Sequence, residues 1–315
     1  MVDLKKKILI DTDNGDDIDD LFALYFALSR NDLDIVGITT TYVNTNLRAR
    51  QVNKVLSMAN RTDIPVYSGY GTPIKTLHPC DTSYKFCQYT PDLLLDEYAP
   101  INDNEGVEGE SAIDFIVEMC NKHQDELTLV CIGPLTNIAK AYLKDPEALK
   151  KVRIVMMGGA FHKIEREWNI ACDYKAAKYV FESGLNLTCV GVDVTKKVEI
   201  SLELQNKILN SSGSDYFNYL IESANRWYNA TNRRIILHDP LALYYVCDPS
   251  IFQMQEYHVV VEEEKCYCTA LTIPLEELYW VQFQYLNQDD YSKSLCAKDV
   301  DYLKFIEIFN KQLGF

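Results

Sequence analysis

The sequence ILIDTDNGDDIDD at residues 8–20 holds six aspartates within ten residues, and it decides the first step of the fold. An apolar run typical of a β-strand precedes the aspartates, and a helical pattern at residues 21–28 follows them. So many carboxylates in a strand-to-helix turn repel one another unless a cation lies among them. Helix capping would use only one or two of the six. Because Mg²⁺ and Ca²⁺ bind carboxylate oxygens, the stretch predicts a metal site at the first strand-to-helix junction.

The rest of the chain continues this alternation of strand and helix. We predict strands at 7–11, 33–41, 65–68, 126–132, 152–157 and 187–192, with helices between them at 19–30, 46–60, 110–122, 135–144 and 173–184. We further predict helical groups at 201–231 and 238–246, strands at 257–261 and 266–273, and a last helix at 298–313. The pattern predicts an α/β fold in which a mostly parallel central sheet carries helices on both faces. Because no linker or repeat divides the chain, we expect one domain over residues 1–315.

The net charge limits the partners of the protein. The chain has 315 residues with 31 basic and 46 acidic side chains, which give a net charge of −15 and a pI near 4.8. This balance argues against nucleic acid or an anionic membrane as a partner. With no signal-peptide pattern and no apolar run of about 18 residues, we expect a cytoplasmic protein without a membrane span. The ten cysteines lack zinc-ligand spacing, and reduced thiols fit the same compartment.

Three further segments have polar residues where strands end or helices begin, at residues 37–44, 157–170 and 238–240. In an open α/β sheet such positions meet in one cleft at the carboxyl ends of the strands. His238 could pass a proton there. Its neighbour Asp239 could complete the metal site, or it could only cap the helix that starts beside Pro240.

Taken in order, these segments resemble the motifs of the inosine–uridine-preferring nucleoside hydrolase family. That family opens with DxDxG…DD after its first strand, as residues 11–20 do. Residues 37–44 are similar to its GITTVxGN, 128–139 to TLVxxGPLTNIA, 157–160 to MGGA, 167–170 to EFNI, 192–195 to LDVT and 238–242 to HDPxA. The resemblance therefore covers nearly the whole chain, from residue 7 to the last helix.

The resemblance implies a hydrolase that splits the N-glycosidic bond of a ribonucleoside into free base and ribose. It implies Ca²⁺ at the carboxyl edge of the sheet, where the metal binds the ribose 2′- and 3′-hydroxyls and a water. Carried over by position, the metal ligands would be the carboxylates of Asp13, Asp20 and Asp239 and the backbone carbonyl of Ile132. Asp13 would also deprotonate the bound water, whose pKa the cation lowers.

The resemblance also implies roles at the two ends of the substrate. The ribose-binding residues would be Asp19, Asn44, Met157, Glu167 and Asn169, and His238 would protonate the departing base. These residue types suit the reaction, because bond cleavage makes the sugar cationic and the base anionic. Members of the family are oligomers, so the resemblance implies a homodimer or homotetramer that acts on a small nucleoside.

The acidic turn itself differs from the commonest family form, DxDPGxDDA. Asn14 replaces the proline, and two residues are added before the final acidic pair. Aligning Asp19 and Asp20 with the family's pair keeps the following helix in phase. Counting from Asp13 instead would select Asp17 and set Ile18 opposite a metal ligand, so Asp17 is the reserve choice.

Recognition of the two ends of the substrate also differs from the family. The loop between Ala160 and Glu167 is short and lacks the asparagine that contacts the 5′-hydroxyl. A cation among His162, Lys163 and Arg166 could substitute and accept a 5′-phosphate, or these could be solvated loop charges. The irregular segment 78–108 is typical of a lid, yet it lacks the family's base-contacting motif.

The altered lid suggests an unusual base, such as the deazapurine of queuosine. Residues that could stack on the base are His78, Tyr84, Phe86, Tyr89, Trp227 and Tyr228.

Two other function classes remain to be tested by the fold. A Mg²⁺-dependent haloacid-dehalogenase-like phosphohydrolase also begins with a strand and DxD, but that family has Thr or Val where this chain has Gly15. A Ca²⁺-binding EF-hand shares the spacing of Asp11 and Asp13, but its twelfth position would be Phe22 instead of Glu. A catalytically silent, Ca²⁺-binding member of the nucleoside hydrolase family is the third alternative.

Overall fold

The fold is built on one mixed β-sheet, which a computed structural model describes within residues 5–77, 109–278 and 291–315. The strands are β1 (Lys6–Thr12), β2 (Leu33–Thr40), β3 (Val66–Ser68), β4 (Leu127–Cys131), β5 (Arg153–Met157), β6 (Asn186–Val190), β7 (Phe252–Val261), β8 (Thr272–Pro274) and β9 (Lys293–Val300). Their order across the described sheet is β3-β2-β1-β4-β5-β6-β9-β7-β8. In this order, the seven strands from β3 across to β9 run parallel to one another. The last two differ, because β7 is antiparallel to β9 and β8 is antiparallel to β7. The predicted mostly parallel sheet is confirmed.

Helices connect the parallel strands, as βαβ units require. The helices in the described residues are α1 (Asp19–Ser29), α2 (Thr45–Met58), α3 (Glu110–His123), α4 (Thr136–Lys144), α5 (Pro146–Leu149), α6 (Trp168–Cys172), α7 (Tyr174–Glu182), α8 (Val192–Thr195), α9 (Leu202–Leu209), α10 (Asp215–Thr231), α11 (His238–Cys247) and α12 (Tyr302–Leu313). The first six strands and the helices between them lie where the sequence predicts them, with ends shifted by a few residues.

Helices cover both faces of the sheet, which confirms the predicted α/β class. Successive side chains of β1 point to opposite faces, so Ile8 and Ile10 join one apolar cluster and Leu9 joins the other. The first cluster contains α1, α11 and α12, where the rings of Phe26 and Phe309 stack 5.6 Å apart. The second contains α3, α4 and α7.

In the last third of the chain, most of the predicted strand at 266–273 and the start of the predicted helix at 298–313 are wrong. Residues 266–271 form a turn before β8, because the hydroxyl of Thr269 bonds to backbone groups of Glu264 and Cys266 and folds the segment on itself. Residues 298–300 belong to β9, and α12 starts only after Asp301, which caps it. The predicted helical group at 201–231 is confirmed and consists of two helices, α9 and α10, separated by residues 210–214.

The predicted lid at 78–108 lies outside the described residues, together with its aromatic candidates. None of the helices in the described part is long and apolar enough to cross a membrane. The single domain stays a prediction.

One buried aspartate joins three separate parts of this fold. Asp173 is fully buried and caps α7 by accepting from the N–H of Ala176 at 3.1 Å. Its carboxylate also accepts from the hydroxyl of Thr136 at 2.7 Å and from the N–H groups of Ile74 and Lys75 at 2.8 and 3.0 Å. A single carboxylate therefore holds α4, α7 and the segment after β3 together.

Asp173→Ala should destabilise the protein much more than loss of an ordinary helix cap. The substitution leaves four donors without this acceptor, so we expect a loss of about 3 kcal/mol in the free energy of unfolding. The matched control is Asp301→Ala. Asp301 is exposed and caps α12 by accepting from the N–H of Lys304 alone among the described donors, so its loss should lower the free energy of unfolding by only about 1 kcal/mol. Urea denaturation of both variants measures the difference, and equal losses would contradict the role given to Asp173.

Candidate active site

A cavity of about 410 Å³ opens where the parallel strands end. Asp13 follows β1, Ile132 follows β4, Met157 ends β5 and Val192 follows β6, and all four line the cavity. The other lining residues are Asp16, Asp17, Asp19, Asp20, Glu165, Arg166, Glu167, Trp168, Asn169, Lys196, Trp227, Arg233, His238 and Asp239. The cleft expected at the carboxyl edge of the sheet is therefore present.

Three buried carboxylates lie together in the lining of this cavity. Oxygen atoms of Asp19, Asp20 and Asp239 all lie within 4.8 Å of one another. Asp20 is oriented by the hydroxyl of Thr12, which donates to its Oδ1 at 2.5 Å. The N–H of Asp239 donates to Oδ2 of Asp19 at 3.4 Å. The first turns of α1 and α11 thus bring residues from distant parts of the chain into one group.

The electrostatics of this group favour a bound cation. Burial raises the pKa values of Asp20 and Asp239 well above the usual range, and the neighbouring carboxylates raise them further. Burial also raises the pKa of Asp13 to about 7, against the lowering effect of the Arg48 charge. The donors are all oxygen atoms, a set that suits a hard divalent cation. The residues present therefore fit a metal site.

The other predicted ligands lie close by. The carboxylate of Asp13 lines the same cavity, although it is outside the group of three within 4.8 Å. The carbonyl of Ile132 accepts a bond from Asn169 Nδ2 at 3.3 Å. Asp19, which the resemblance assigns to ribose, stands directly beside Asp20. The reserve residue Asp17 is exposed on the cavity lining.

The first aspartate of the acidic stretch has a different place. Asp11 is fully buried within the sheet, where its Oδ1 accepts from the Thr39 hydroxyl at 2.6 Å and from Asn137 Nδ2 at 2.8 Å. It does not line the cavity formed by the described residues. Asp11 therefore joins β1 to β2 and α4.

Three of the predicted ribose residues, Met157, Glu167 and Asn169, lie together at one wall of the cavity. Glu167 caps α6, and its carboxylate accepts from the N–H groups of Gly159, Asn169 and Ile170 at 3.2, 2.9 and 3.0 Å. The amide of Asn169 donates to the carbonyl of Met157 at 3.2 Å. These bonds fix the orientation of both side chains.

Asn44 lies elsewhere in the described structure. It is exposed, caps α2 by accepting from the N–H of Leu47 at 3.2 Å, and does not line the cavity formed by the described residues. Its contact with ribose stays a prediction.

His238 is held by a residue from the segment that resembles LDVT. Its Nδ1 lies 2.6 Å from the hydroxyl of Thr195, which is fully buried at the end of α8. Burial lowers the pKa of His238 to about 4, and the charge of Lys196 adds to this effect. Lys196 itself pairs with Glu165. The imidazole is therefore neutral near pH 7.

The candidates for the 5′ end are divided between two cavities. His162 and Lys163 line a second cavity beside β8. Arg166 lines the first, and its guanidinium donates to the carbonyls of Thr269, at 2.9 Å, and Tyr267. Among the described base candidates, Trp227 lines the first cavity and Tyr228 does not.

Sequence reasoning missed several residues of this site, chiefly Arg48, Asp16, Thr195 and Arg233. Arg48 is fully buried in α2 on the side of the acidic turn. A signal was available, since Arg48 and Gln51 share a helix face with apolar Val52 and Val55. Polar residues on a buried face need polar partners nearby.

Known proteins match the chain over most of its length. Residues 8–307 match the model of the family described as inosine-uridine preferring nucleoside hydrolase. The probable uridine nucleosidase 2 of Arabidopsis thaliana is 34% identical over 267 residues, which cover 80% of each chain. The pyrimidine-specific ribonucleoside hydrolase RihA of Escherichia coli is 29% identical over 322 residues and 98% of each chain.

Solved structures agree with these matches. A plant nucleoside hydrolase has a TM-score of 0.81 at 28% identity. A purine-preferring ribonucleoside hydrolase from Gardnerella vaginalis has a TM-score of 0.78 at 25% identity, and both matches cover 98% of each chain. The match over nearly the whole chain leaves no place for the phosphohydrolase or the EF-hand. A strand, β1, also stands where an EF-hand would have its first helix. The chain is a ribonucleoside hydrolase, and it belongs to the inosine-uridine preferring nucleoside hydrolase family.

Proposed function

We propose that the protein uses Ca²⁺ to hydrolyse the N-glycosidic bond of a neutral ribonucleoside, releasing free base and ribose. The observation that carries this proposal is the meeting of buried carboxylates and a partly buried histidine in one cavity at the ends of the strands. The carboxylates suit a cation and a cationic sugar, and the histidine suits the departing base.

The proposed metal ligands are the carboxylates of Asp13, Asp20 and Asp239 and the carbonyl of Ile132. When bound, the cation supplies Lewis-acid activation of water and binds the ribose diol. Asp19 adjoins this set and would hold a ribose hydroxyl. Ca²⁺ is preferred to Mg²⁺ because it accepts more oxygen ligands in a less regular geometry.

Asp13 is the proposed general base that accepts a proton from the attacking water. Burial raises the pKa of the Asp13 carboxyl, whereas the Arg48 charge lowers it and a bound cation would lower it further. What qualifies Asp13 as the base is its position, because a base must lie within reach of the proton that it takes. Its carboxylate is also in the cavity where the water must lie.

The wall formed by Met157, Glu167 and Asn169 is the proposed ribose site. Because backbone N–H groups already orient Glu167, its charge is fixed before the sugar binds. A fixed negative charge stabilises the oxocarbenium-like sugar without reorganisation during the reaction. Aligned binding of the ribose also brings C1′ towards the water.

His238 is the proposed proton donor to the base. If Nδ1 accepts from the Thr195 hydroxyl at 2.6 Å, the neutral ring carries its proton on Nε2. The Nε2–H group can then donate to the ring nitrogen of the base as negative charge develops there. A neutral histidine whose pKa the protein lowers performs this kind of task in other enzymes.

Trp168, Trp227 and Arg233 are the described residues proposed to bind the base. Trp227 is almost fully buried and Trp168 is half exposed, and their rings can stack on any nucleobase. Relatives are named for uridine and for pyrimidines, and a structural neighbour for purines. The base is therefore a matter for assay, with queuosine kept as the modified candidate. The homodimer or homotetramer and the cytoplasmic location also stay predictions.

A nucleoside panel tests the proposed function. Purified protein should release ribose from at least one of inosine, adenosine, guanosine, uridine, cytidine and queuosine in a reducing-sugar assay. EDTA should abolish the release, and Ca²⁺ should restore it better than Mg²⁺.

Asp13→Asn should lower kcat on the order of 10²-fold or more, because the carboxamide is a poor base. Silence on the whole panel with Ca²⁺ bound would contradict the proposal and favour a silent family member.

The 5′-monophosphate of the best nucleoside should be a poor substrate. Eight of the eighteen residues that line the cavity are carboxylates, and three are arginine or lysine. A phosphate dianion is repelled by this excess even with one divalent cation present, so we expect kcat/KM to fall on the order of tenfold or more. The penalty should shrink in high salt, which screens charges. Equal use of nucleoside and nucleotide would contradict this expectation.

His238→Ala should lower kcat on the order of 10²-fold, because the base then leaves without a donor.

The pKa of His238, about 4, predicts how kcat depends on pH. If an imidazolium were required, kcat would fall tenfold with each pH unit above 4. The neutral donor instead predicts no such decline between about pH 5.5 and 8. Thr195→Val should lower kcat by about tenfold, because the hydroxyl no longer orients the ring. Full activity of His238→Ala would remove this assignment.

A further inference from the structure

The acidic turn between β1 and α1 lacks the rigidity that its relatives' form would have. Asn14 stands in place of the proline in the form DxDPGxDDA, and the turn is two residues longer. Proline restricts the backbone, and a longer turn without it has more conformations open to it. Because Asp13 is part of this turn, its carboxylate needs another support.

That support comes from Arg48 in the first turn of α2. Its Nη1 donates to the main-chain carbonyls of Asp13 and Asn14, the latter at 2.9 Å. Its Nη2 donates to the carboxylate of Asp16 at 2.7 Å. All three acceptors belong to the acidic turn, and the guanidinium is fully buried against them.

The same guanidinium also binds the turn that follows β2. Its Nε donates to the carbonyl of Tyr42 at 2.8 Å. Tyr42 and Val43 have φ values of 68° and 59°, a conformation that is unfavourable for a β-branched side chain such as Val43. Such a turn persists only where its surroundings hold it. One side chain thus joins the turns after β1 and β2.

A second residue of α2, Gln51, binds Asn14, the residue that stands in place of the proline. The amide of Asn14 donates to Oε1 of Gln51 at 2.6 Å, and both residues are buried. Gln51 lies one helical turn after Arg48, so both point to the same side of α2. The acidic turn is therefore attached to a rigid helix at several atoms.

We propose that Arg48 is a positioning residue that holds the backbone of Asp13, and so its carboxylate, in place for Ca²⁺ binding and for proton transfer. The metal and the reaction in this inference rest on the proposed function. The planar guanidinium is suited to the task, because its donors point in fixed directions to several acceptors at once. Lysine carries the same charge without that geometry.

The sign of a change in metal affinity distinguishes positioning from charge alone. A positive charge near the site repels a cation. If Arg48 acted only as a counter-charge, its removal would tighten Ca²⁺ binding. If it holds a ligand in place, its loss weakens Ca²⁺ binding.

The experiment is calorimetric titration of Ca²⁺ into chelator-stripped wild-type, Arg48→Lys and Arg48→Ala proteins. We expect each variant to bind Ca²⁺ about tenfold more weakly, as is common when a residue that orients a metal ligand is lost. Millimolar guanidinium chloride should restore binding in Arg48→Ala by filling the vacated space, whereas potassium chloride should not. A side chain needed only for general stability would not be replaced in this way. If Arg48→Ala fails to fold, Arg48→Lys decides the matter.

The matched control is Arg30→Lys. Arg30 also binds one carboxylate through two nitrogens, at 2.7 and 2.6 Å from Asp32, but Asp32 lies outside the acidic turn and outside the described lining of the cavity. Its Ca²⁺ affinity should equal that of the wild type. Unchanged or tighter Ca²⁺ binding by Arg48→Lys would overturn the inference. The titration contains no nucleoside, so a wild type that binds Ca²⁺ but releases no ribose would count against the proposed function alone.

Discussion

The repulsion among three buried carboxylates is the constraint on which the rest of the site depends. Asp19, Asp20 and Asp239 lie within 4.8 Å of one another in a part of the protein that water hardly reaches. Like charges at this distance and depth are costly unless positive charge compensates them. The fold supplies part of this compensation, because the three carboxylates lie on the N-terminal turns of α1 and α11, where helix dipoles favour negative charge. The oxygen-only donor set is what a hard cation would complete.

The residues around this group serve the fold and the site at once. Glu167 caps α6 with the same carboxylate that faces the cavity, and Thr195 ends α8 while it holds His238. Asn169 binds backbone carbonyls of two neighbouring strand ends. Because structural bonds already fix these side chains, the site is organised before a nucleoside enters, which lowers the cost of binding in the reactive geometry.

Much of the fold and part of the site could be predicted from local pattern. The strand-to-helix alternation locates β1 to β6, and the aspartate-rich turn with His238-Asp239 indicates most of the acidic centre. Prediction failed where long-range pairing decides. Residues 293–300 lack a strong strand pattern, yet they form β9 because β6 and β7 flank them. Arg48 was missed because its partners lie in two turns that only the folded sheet brings together.

By itself, the sequence determined the α/β class, the family and the residue types available for chemistry, because these depend on local periodicity and on motifs read along the chain. The tertiary structure alone decided which carboxylates meet. It set Asp19 beside Asp20 and Asp239, directed Asp11 into the sheet and gave Asp16 to Arg48. The physical reason is that spacing along the chain fixes only the helix face or strand end on which a side chain lies. Asp19 and Asp239 are 220 positions apart, and whether they meet depends on how α1 and α11 pack together over the sheet.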